Sequence, residues 1–214
     1  MQSRSDKYRE NKGSGGGLLD PNGLSRDIND IVPDSLLNIL DSLGMPINTG
    51  DAPPNIEGSF VLSPFTMVNT NIVNDIYGIG QEISDYYVKF SGQNNGKLTV
   101  NIDYYNGGEV GNGIGSFIVG NGKDFSVFSR LFITYRGDSA YTLVLFSGSI
   151  ESDGLHDMYV ANFMLESFNS IYLIHNGQGR IFFDSDSLSG PTDYFAKPSY
   201  YLKPESILNS AFKR

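Results

Sequence analysis

From Glu57 onward, apolar and polar positions alternate with a period of two. In the segment 97–104, Leu98, Val100, Ile102 and Tyr104 alternate with Lys97, Thr99, Asn101 and Asp103. This is the pattern of a strand with one buried face and one wet face. Comparable segments lie at 58–70, 84–91, 113–119, 125–135, 140–150, 156–166, 170–175 and 180–184. Between them stand Asn94-Asn95-Gly96, Asn106-Gly107-Gly108, Gly120-Asn121-Gly122, Arg136-Gly137-Asp138, Ser152-Asp153-Gly154 and Asn176-Gly177-Gln178-Gly179. Such Gly- and Asn-rich connections supply the positive φ of tight hairpins. Strands joined this way pair in sequence order as a meander, and a long meander removes its exposed edges by closing on itself. The pattern therefore predicts an all-β fold, an antiparallel up-and-down barrel of about eight to nine strands. Phe128-Ser129 interrupts the alternation of Phe125 and Val127 with Leu131, Ile133 and Tyr135, which predicts a bulge there.

The period changes upstream. Leu36, Leu37, Leu40 and Leu43 form one stripe at helical spacing, with Pro33 and Asp34 suited to a first turn and Gly44 and Pro46 as stop signals. One short N-terminal helix follows, and it needs an apolar surface to lie on. The strands provide one. Tyr141, Leu143 and Leu145 are backed by Val144 and Phe146, and Tyr159, Ala161 and Phe163 by Met158, Val160 and Met164, so both faces there are apolar. The helix, the tail from Tyr194 to Arg214 or a partner is expected to cover the outer one. Residues 1–30, polar and then Gly-rich through Gly13–Gly17, read as a flexible tether. Residues 31–214 read as a single barrel domain with a packed C-terminal tail.

Composition narrows the function. The 214 residues carry 24 acidic and 15 basic side chains, a net charge of −9 that repels phosphate backbones, so no nucleic-acid partner is expected. With no Cys, there are no disulfides, thiolate metal sites or Cys nucleophiles. No run of 18 apolar residues exists to cross a membrane as a helix. A membrane barrel needs lipid-facing apolar residues outside and a polar lumen, whereas the 97–104 strand has one apolar face and the loops are short at both ends.

Candidate chemistry is sparse. His156 and His175 are the two histidines, and neither has a second within ligand spacing. Gly115-Ser116-Phe117 lacks the Gly-x-Ser-x-Gly elbow, and the glycines of 108–115 have no helix or Lys behind them to hold a phosphate. Asp184-Ser185-Asp186-Ser187 alternates oxygen ligands but lacks the Gly and distant Glu of a calcium loop, so it reads as a polar turn. Acidic residues from Asp103 to Glu166 sit mainly near turns. No catalytic residue, metal site or cofactor is expected, and the chain is read as not an enzyme. The strongest remaining signal is the 14 Phe and 13 Tyr spread through the strands. A barrel of this size can hold one small ligand against aromatic walls. The candidate lining is Leu98, Val100, Ile102 and Tyr104, with Leu131, Ile133 and Tyr135 and with Val144 and Phe146 from the two following strands.

A short helix leading into Gly58-Ser59-Phe60 resembles the calycin superfamily and its lipocalins, whose first strand carries Gly-x-Trp; Phe60 stands in the Trp position. Thr192-Asp193-Tyr194 matches another lipocalin motif in letters but follows the last predicted strand. The stretch from Ile31-Val32-Pro33-Asp34 through Gly44-Met45-Pro46-Ile47-Asn48 to Pro53-Pro54-Asn55-Ile56-Glu57-Gly58 resembles a group of uncharacterised Bacteroidetes envelope lipoproteins with calycin-like barrels. That resemblance implies a periplasmic or surface address and membrane attachment only through a lipid-bearing Cys upstream; Gln2 to Lys12 hold no apolar h-region, so no signal peptide is expected in this chain. It implies no activity. Two roles follow as expectations: binding a small apolar or amphipathic ligand, or a glycan, in the barrel mouth, or docking an envelope partner through an apolar outer face. The oligomeric state is left open.

Overall fold

Among the described residues two helices, not one, precede the strands. A computed structural model describes residues 18–107, 109–135 and 137–196, and only the backbone of 109–115, 134 and 135. Helix α1 is Arg26–Ile31 and α2 is Asp34–Ser42. The N-terminal part of the expected tether, 1–17, lies outside the described residues, while its last part is folded: Leu24 and Ile28 are buried with Val32 in the same core as Leu36, Leu37 and Leu40. Asp20 organises this entry by accepting from the backbone amides of Asn22 and Leu24 at 2.8 and 3.0 Å. Helix α2 ends at Leu43, and Gly44 takes φ of +81°.

The strands are β1 (Asp51–Ala52), β2 (Gly58–Leu62), β3 (Phe65–Thr70), β4 (Glu82–Ile83), β5 (Tyr86–Asn94), β6 (Thr99–Asn106), β7 (Glu109–Asn121), β8 (Asp124–Tyr135), β9 (Asp138–Glu151), β10 (Gly154–Glu166), β11 (Gly179–Asp184) and β12 (Leu188–Pro191), followed by a 3-10 turn at Tyr194–Ala196. All belong to one sheet of twelve strands, more than the eight or nine expected. From β5 to β10 it is the expected antiparallel meander. The additional strands are short. The segment 58–70 splits at Pro64, which has no N–H to give to a ladder. Residues 170–175, expected as a strand, form a loop instead, entered through Phe168 and Asn169 at φ of +48° and +62°.

Closure comes through β12. It pairs with β2 at Gly190–Val61 and Pro191–Phe60, and with β10 at Ser189–Leu155 and Leu188–His156, completing a ring of β2, β5 to β10 and β12. Strand β10 shifts register between His156 and Tyr159, and beyond that point its outer edge pairs with β11, which leads to β3 and β4. One edge thus serves two partners, and the architecture is barrel-like without being a regular closed barrel. The bulge expected at Phe128-Ser129 is absent: β8 and β9 pair without a shift from Asp124–Ser149 to Tyr135–Asp138. The alternation continues through Ser129, whose hydroxyl accepts from Ser116 Oγ at 2.8 Å in the interior, while Phe128 points to the outer face.

Two apolar clusters result. The interior one joins residues such as Val88, Phe90, Val127, Phe146 and Val160 with Phe65, Met67 and Phe182 of β3 and β11. The outer one places α1, α2 and Met45 against Leu98, Val119, Phe128, Leu143, Leu145, Ala161, Phe163 and Ile181. The doubly apolar strands are therefore covered by the chain's own N-terminal segment. Asn48 locks that segment down: its backbone amide donates to Ser126 Oγ at 2.8 Å and its Nδ2 reaches the Phe125 and Gly148 carbonyls at 3.0 and 3.2 Å. Gly50, at φ of +129°, then lets β1 run beside β7, since a Cβ there would lie 2.6 Å from the Gly120 carbonyl oxygen. Of the tail expected to pack, Tyr194 stacks on Tyr87 at 4.2 Å and on Tyr105 at 5.2 Å between ring centres. Residues 197–214 lie outside the described residues.

Candidate functional site

The nine residues expected to line a barrel cavity divide. Val100, Ile102 and Tyr104 of β6, Leu131 of β8, and Val144 and Phe146 of β9 all belong to the interior cluster, at 0 to 3 % exposure. A cavity able to admit a ligand would give these walls surface that water could reach, and they have almost none, so they pack as core. Ile133 is partly buried against the same cluster. Leu98 departs from the expected alternation. It precedes β6 with φ of +52°, and its side chain turns to the outer cluster beneath the helices. Tyr135 ends β8 opposite Asp138, and its side chain lies outside the described residues.

A concentration of exposed apolar side chains lies at one end of the barrel. There, the β3–β4 loop (71–81), the β8–β9 hairpin and the β10–β11 loop (167–178) come together. Leu173 and Ile174 of the last loop are fully buried in the interior cluster, and Ile72, Tyr77 and Ile83 pack against it, so these loops stopper the barrel. Their outward side chains are apolar. Val73, Ile76 and Ile79, then Phe168, Ile171 and Tyr172, together with Phe132 on β8, make up seven of the nine exposed large hydrophobics among the described residues. The rings of Phe132 and Phe168 both meet Tyr141, at 5.3 and 5.9 Å, which joins the hairpin to the loop.

Two grooves open at this end, separated by 72–77. The smaller, about 240 Å³, is bounded by Ile72–Ile76, His175, Gln178 and Arg180. The larger, about 400 Å³, is bounded by Tyr77, Gln81, Glu82, Ile83, Ser84 and Asn106. The wall between them is held from beneath. Arg180 and Asp75 are 1 % and 4 % exposed, and Nη2 and Nε of the guanidinium donate to the two carboxylate oxygens at 2.6 and 2.9 Å. Thr70 Oγ1 donates to Asp75 at 2.8 Å, the Tyr77 amide donates to it at 3.3 Å, and the guanidinium lies 4.9 Å from the centre of the Tyr77 ring. Burial by itself would raise the Asp75 carboxyl; the Arg180 and Thr70 hydrogen bonds outweigh it and hold the group below its ordinary value. A buried pair with this geometry fixes the loop more than it adds net stability, because both charges had to leave water. The larger groove is further shaped by Gln81, whose Oε1 accepts from the Gly78 amide at 3.0 Å, and by Asn106, whose Nδ2 donates to the Ser84 carbonyl at 2.6 Å.

Other ionisable groups are engaged elsewhere. Glu151, Asp153 and His156 place ligand atoms within 4.8 Å of one another at the opposite end. Lys123 Nζ sits 2.7 Å from Glu151 and His156 Nε2 sits 2.8 Å from Asp153, so the cluster is a pair of exposed ion pairs. The Asp153 hydrogen bond raises the His156 pKa. The Asp184–Ser187 run is the polar turn joining β11 to β12, closed by the Ser187 amide on the Asp184 carbonyl at 2.9 Å. Asp184 itself is fully buried. Ser189 Oγ donates to its Oδ2 at 2.6 Å, Oδ1 has no hydrogen-bond partner, and burial pushes the carboxyl up to about 6.

The loop-end site was not reached from the sequence. Ile72, Val73, Ile76 and Ile79 repeat the spacing of the α2 leucines, but they sit among Asn71, Asn74, Gly78 and Gly80 and form a loop, and Arg180 reads as an ordinary strand residue 105 positions from Asp75. The one available signal was a cluster of large aliphatic residues in a segment with turn composition. Compared with known proteins, the chain matches no family model, no curated protein and no solved structure.

Proposed function

We propose that this chain is a non-catalytic recognition domain, tethered to the cell envelope, that takes its ligand at the loop end of the barrel and not inside it. The observation that carries this reading is the gathering of seven of the nine exposed large hydrophobics among the described residues at one end, beside two grooves and above an interior that is filled with side chains. Large exposed apolar residues cost solubility, and their concentration in one place is the mark of a contact surface. The envelope address rests on the resemblance of residues 31–58 and on the polar, Gly-rich stretch before residue 18. A binding role suits the electrostatics as well, since Asp75, Asp184, Glu151, Asp153 and His156 are each engaged by a protein partner.

The test compares two surface variants for binding to the solubilised envelope fraction of the host. Ile76→Ser with Ile79→Ser changes the loop end, and Lys123→Ser changes the opposite end. Binding lost in the first and kept in the second is the expected result. Equal binding by both overturns the assignment.

A further inference from the structure

The larger groove has a chemistry of its own, and, taking the loop-end reading as its basis, we infer that it is a binding site for an uncharged carbohydrate. At about 400 Å³ it falls at the small end of the range for ligand sites. Its walls alternate between hydrogen-bonding and apolar groups. Gln81 brings an amide, Glu82 a carboxylate and Ser84 a hydroxyl, beside Tyr77 and Ile83, while the buried Asn106 amide at the floor is given to the Ser84 and Asp85 carbonyls. A sugar ring presents the same alternation, with equatorial hydroxyls around its edge and C–H groups on its faces.

The alternatives fit less well. A wholly apolar ligand would strip water from the Glu82 carboxylate, the Gln81 amide and the Ser84 hydroxyl without replacing their hydrogen bonds, a cost of about 1–3 kcal/mol for each group left unpaired. Phosphates, sulfates and uronic acids meet Glu82 directly and a chain whose net charge is −9. Among the described residues no cationic side chain lines this groove; the neighbouring Arg180 is turned into the protein and committed to Asp75.

The walls are also pre-organised. Tyr77 is held by the Asp75 carboxylate through its backbone and by the Arg180 guanidinium through its ring. Gln81 is fixed by the Gly78 amide on Oε1, and Gly80 at φ of +82° returns its amide to the Met67 carbonyl at 2.7 Å. A site whose walls are already ordered spends little of its binding free energy on ordering them. Gln81, Glu82 and Ser84 are exposed, so they can be changed without touching the core.

Saturation-transfer NMR tests this with the full chain and a panel of neutral mono- and disaccharides (galactose, glucose, mannose, N-acetylglucosamine and their β-linked dimers), with glucuronate and inorganic phosphate as anionic controls. At least one neutral sugar is expected to give a transfer signal that saturates in the millimolar range or below. The signal should fall at least tenfold in affinity in Gln81→Ala with Glu82→Ala, and persist in Lys123→Ser at the opposite end. No saturable signal from any neutral sugar, or an equal signal in the Gln81/Glu82 variant, overturns the inference. If the envelope fraction still binds through the loop end in that case, the recognition reading stands and only the ligand class fails.

Discussion

Replacing Asp184 with Asn removes the ionisable group most clearly at odds with its surroundings. In the folded chain the carboxyl has no exposed surface, one oxygen bonded to Ser189 and one without a partner, and its pKa is raised from 3.8 to about 6 by burial. The unfolded chain ionises it at the ordinary value. A group with its folded pKa raised binds its proton more tightly in the folded state, so its contribution is fully present below about pH 4 and is lost as pH rises through about 6. Two pKa units correspond to roughly 2–3 kcal/mol. Asn is a neutral isostere of the protonated acid, and its carbonyl can keep the Ser189 bond. Urea denaturation below pH 4 and at pH 8, followed by circular dichroism, should find Asp184→Asn more stable than the parent at pH 8 by about 1–3 kcal/mol and close to it below pH 4. Carboxylates with lowered pKa, Asp75 among them, tilt both proteins the opposite way, so the difference between the two curves isolates Asp184. A variant less stable than the parent at pH 8, or a difference that does not change with pH, would refute the reasoning.

Three further outcomes follow from the packing. Asp75→Asn leaves the Arg180 guanidinium buried without its counter-charge and should cost about 3–5 kcal/mol, with faster amide exchange through 71–81. Gly50→Ala places a Cβ against the Gly120 carbonyl at a positive φ and should lower stability by about 1–3 kcal/mol, read from the urea midpoint. Leu40→Ala empties a fully buried site between α2 and the outer sheet face and should cost about 2–5 kcal/mol, whereas Leu43→Ala, partly buried at the helix end, should cost less.

The parts of the fold that were legible are those where one local pattern decides the matter. Helix α2 follows from four leucines at helical spacing, and the hairpins from β5 to β10 follow from alternation ended by Gly and Asn turns. That the outer face needed a cover could be read from Leu143 and Leu145 set against Val144 and Phe146, and α2 provides it. Helix α1 was hidden because Leu24, Ile28 and Val32 make a single thin stripe in a polar segment, and six residues have no helical stability of their own. Strand β12 was hidden because Leu188-Ser-Gly-Pro carries no alternation; its place depends on the free edges of β2 and β10. Ser129 looked like a break because a serine in the core is legible only once Ser116 is known to face it. The candidate lining failed as a cavity for a related reason: alternation says which side chains point inward, and the volume left between them depends on how the sheet splits at β10 and how the loops stopper the end. The smaller loop-end groove belongs to contacts between segments about a hundred residues apart, and the larger sets 77–84 beside Asn106 of another strand; no local pattern encodes either.

Hydrogen exchange by mass spectrometry, with and without the host's solubilised envelope fraction, tests the central claim most directly. The account predicts added protection in peptides covering 71–84 and 167–178 and none in the 142–147 segment, which is already buried. Protection confined to the barrel strands, or to the helices and the Lys123–His156 end, would contradict it.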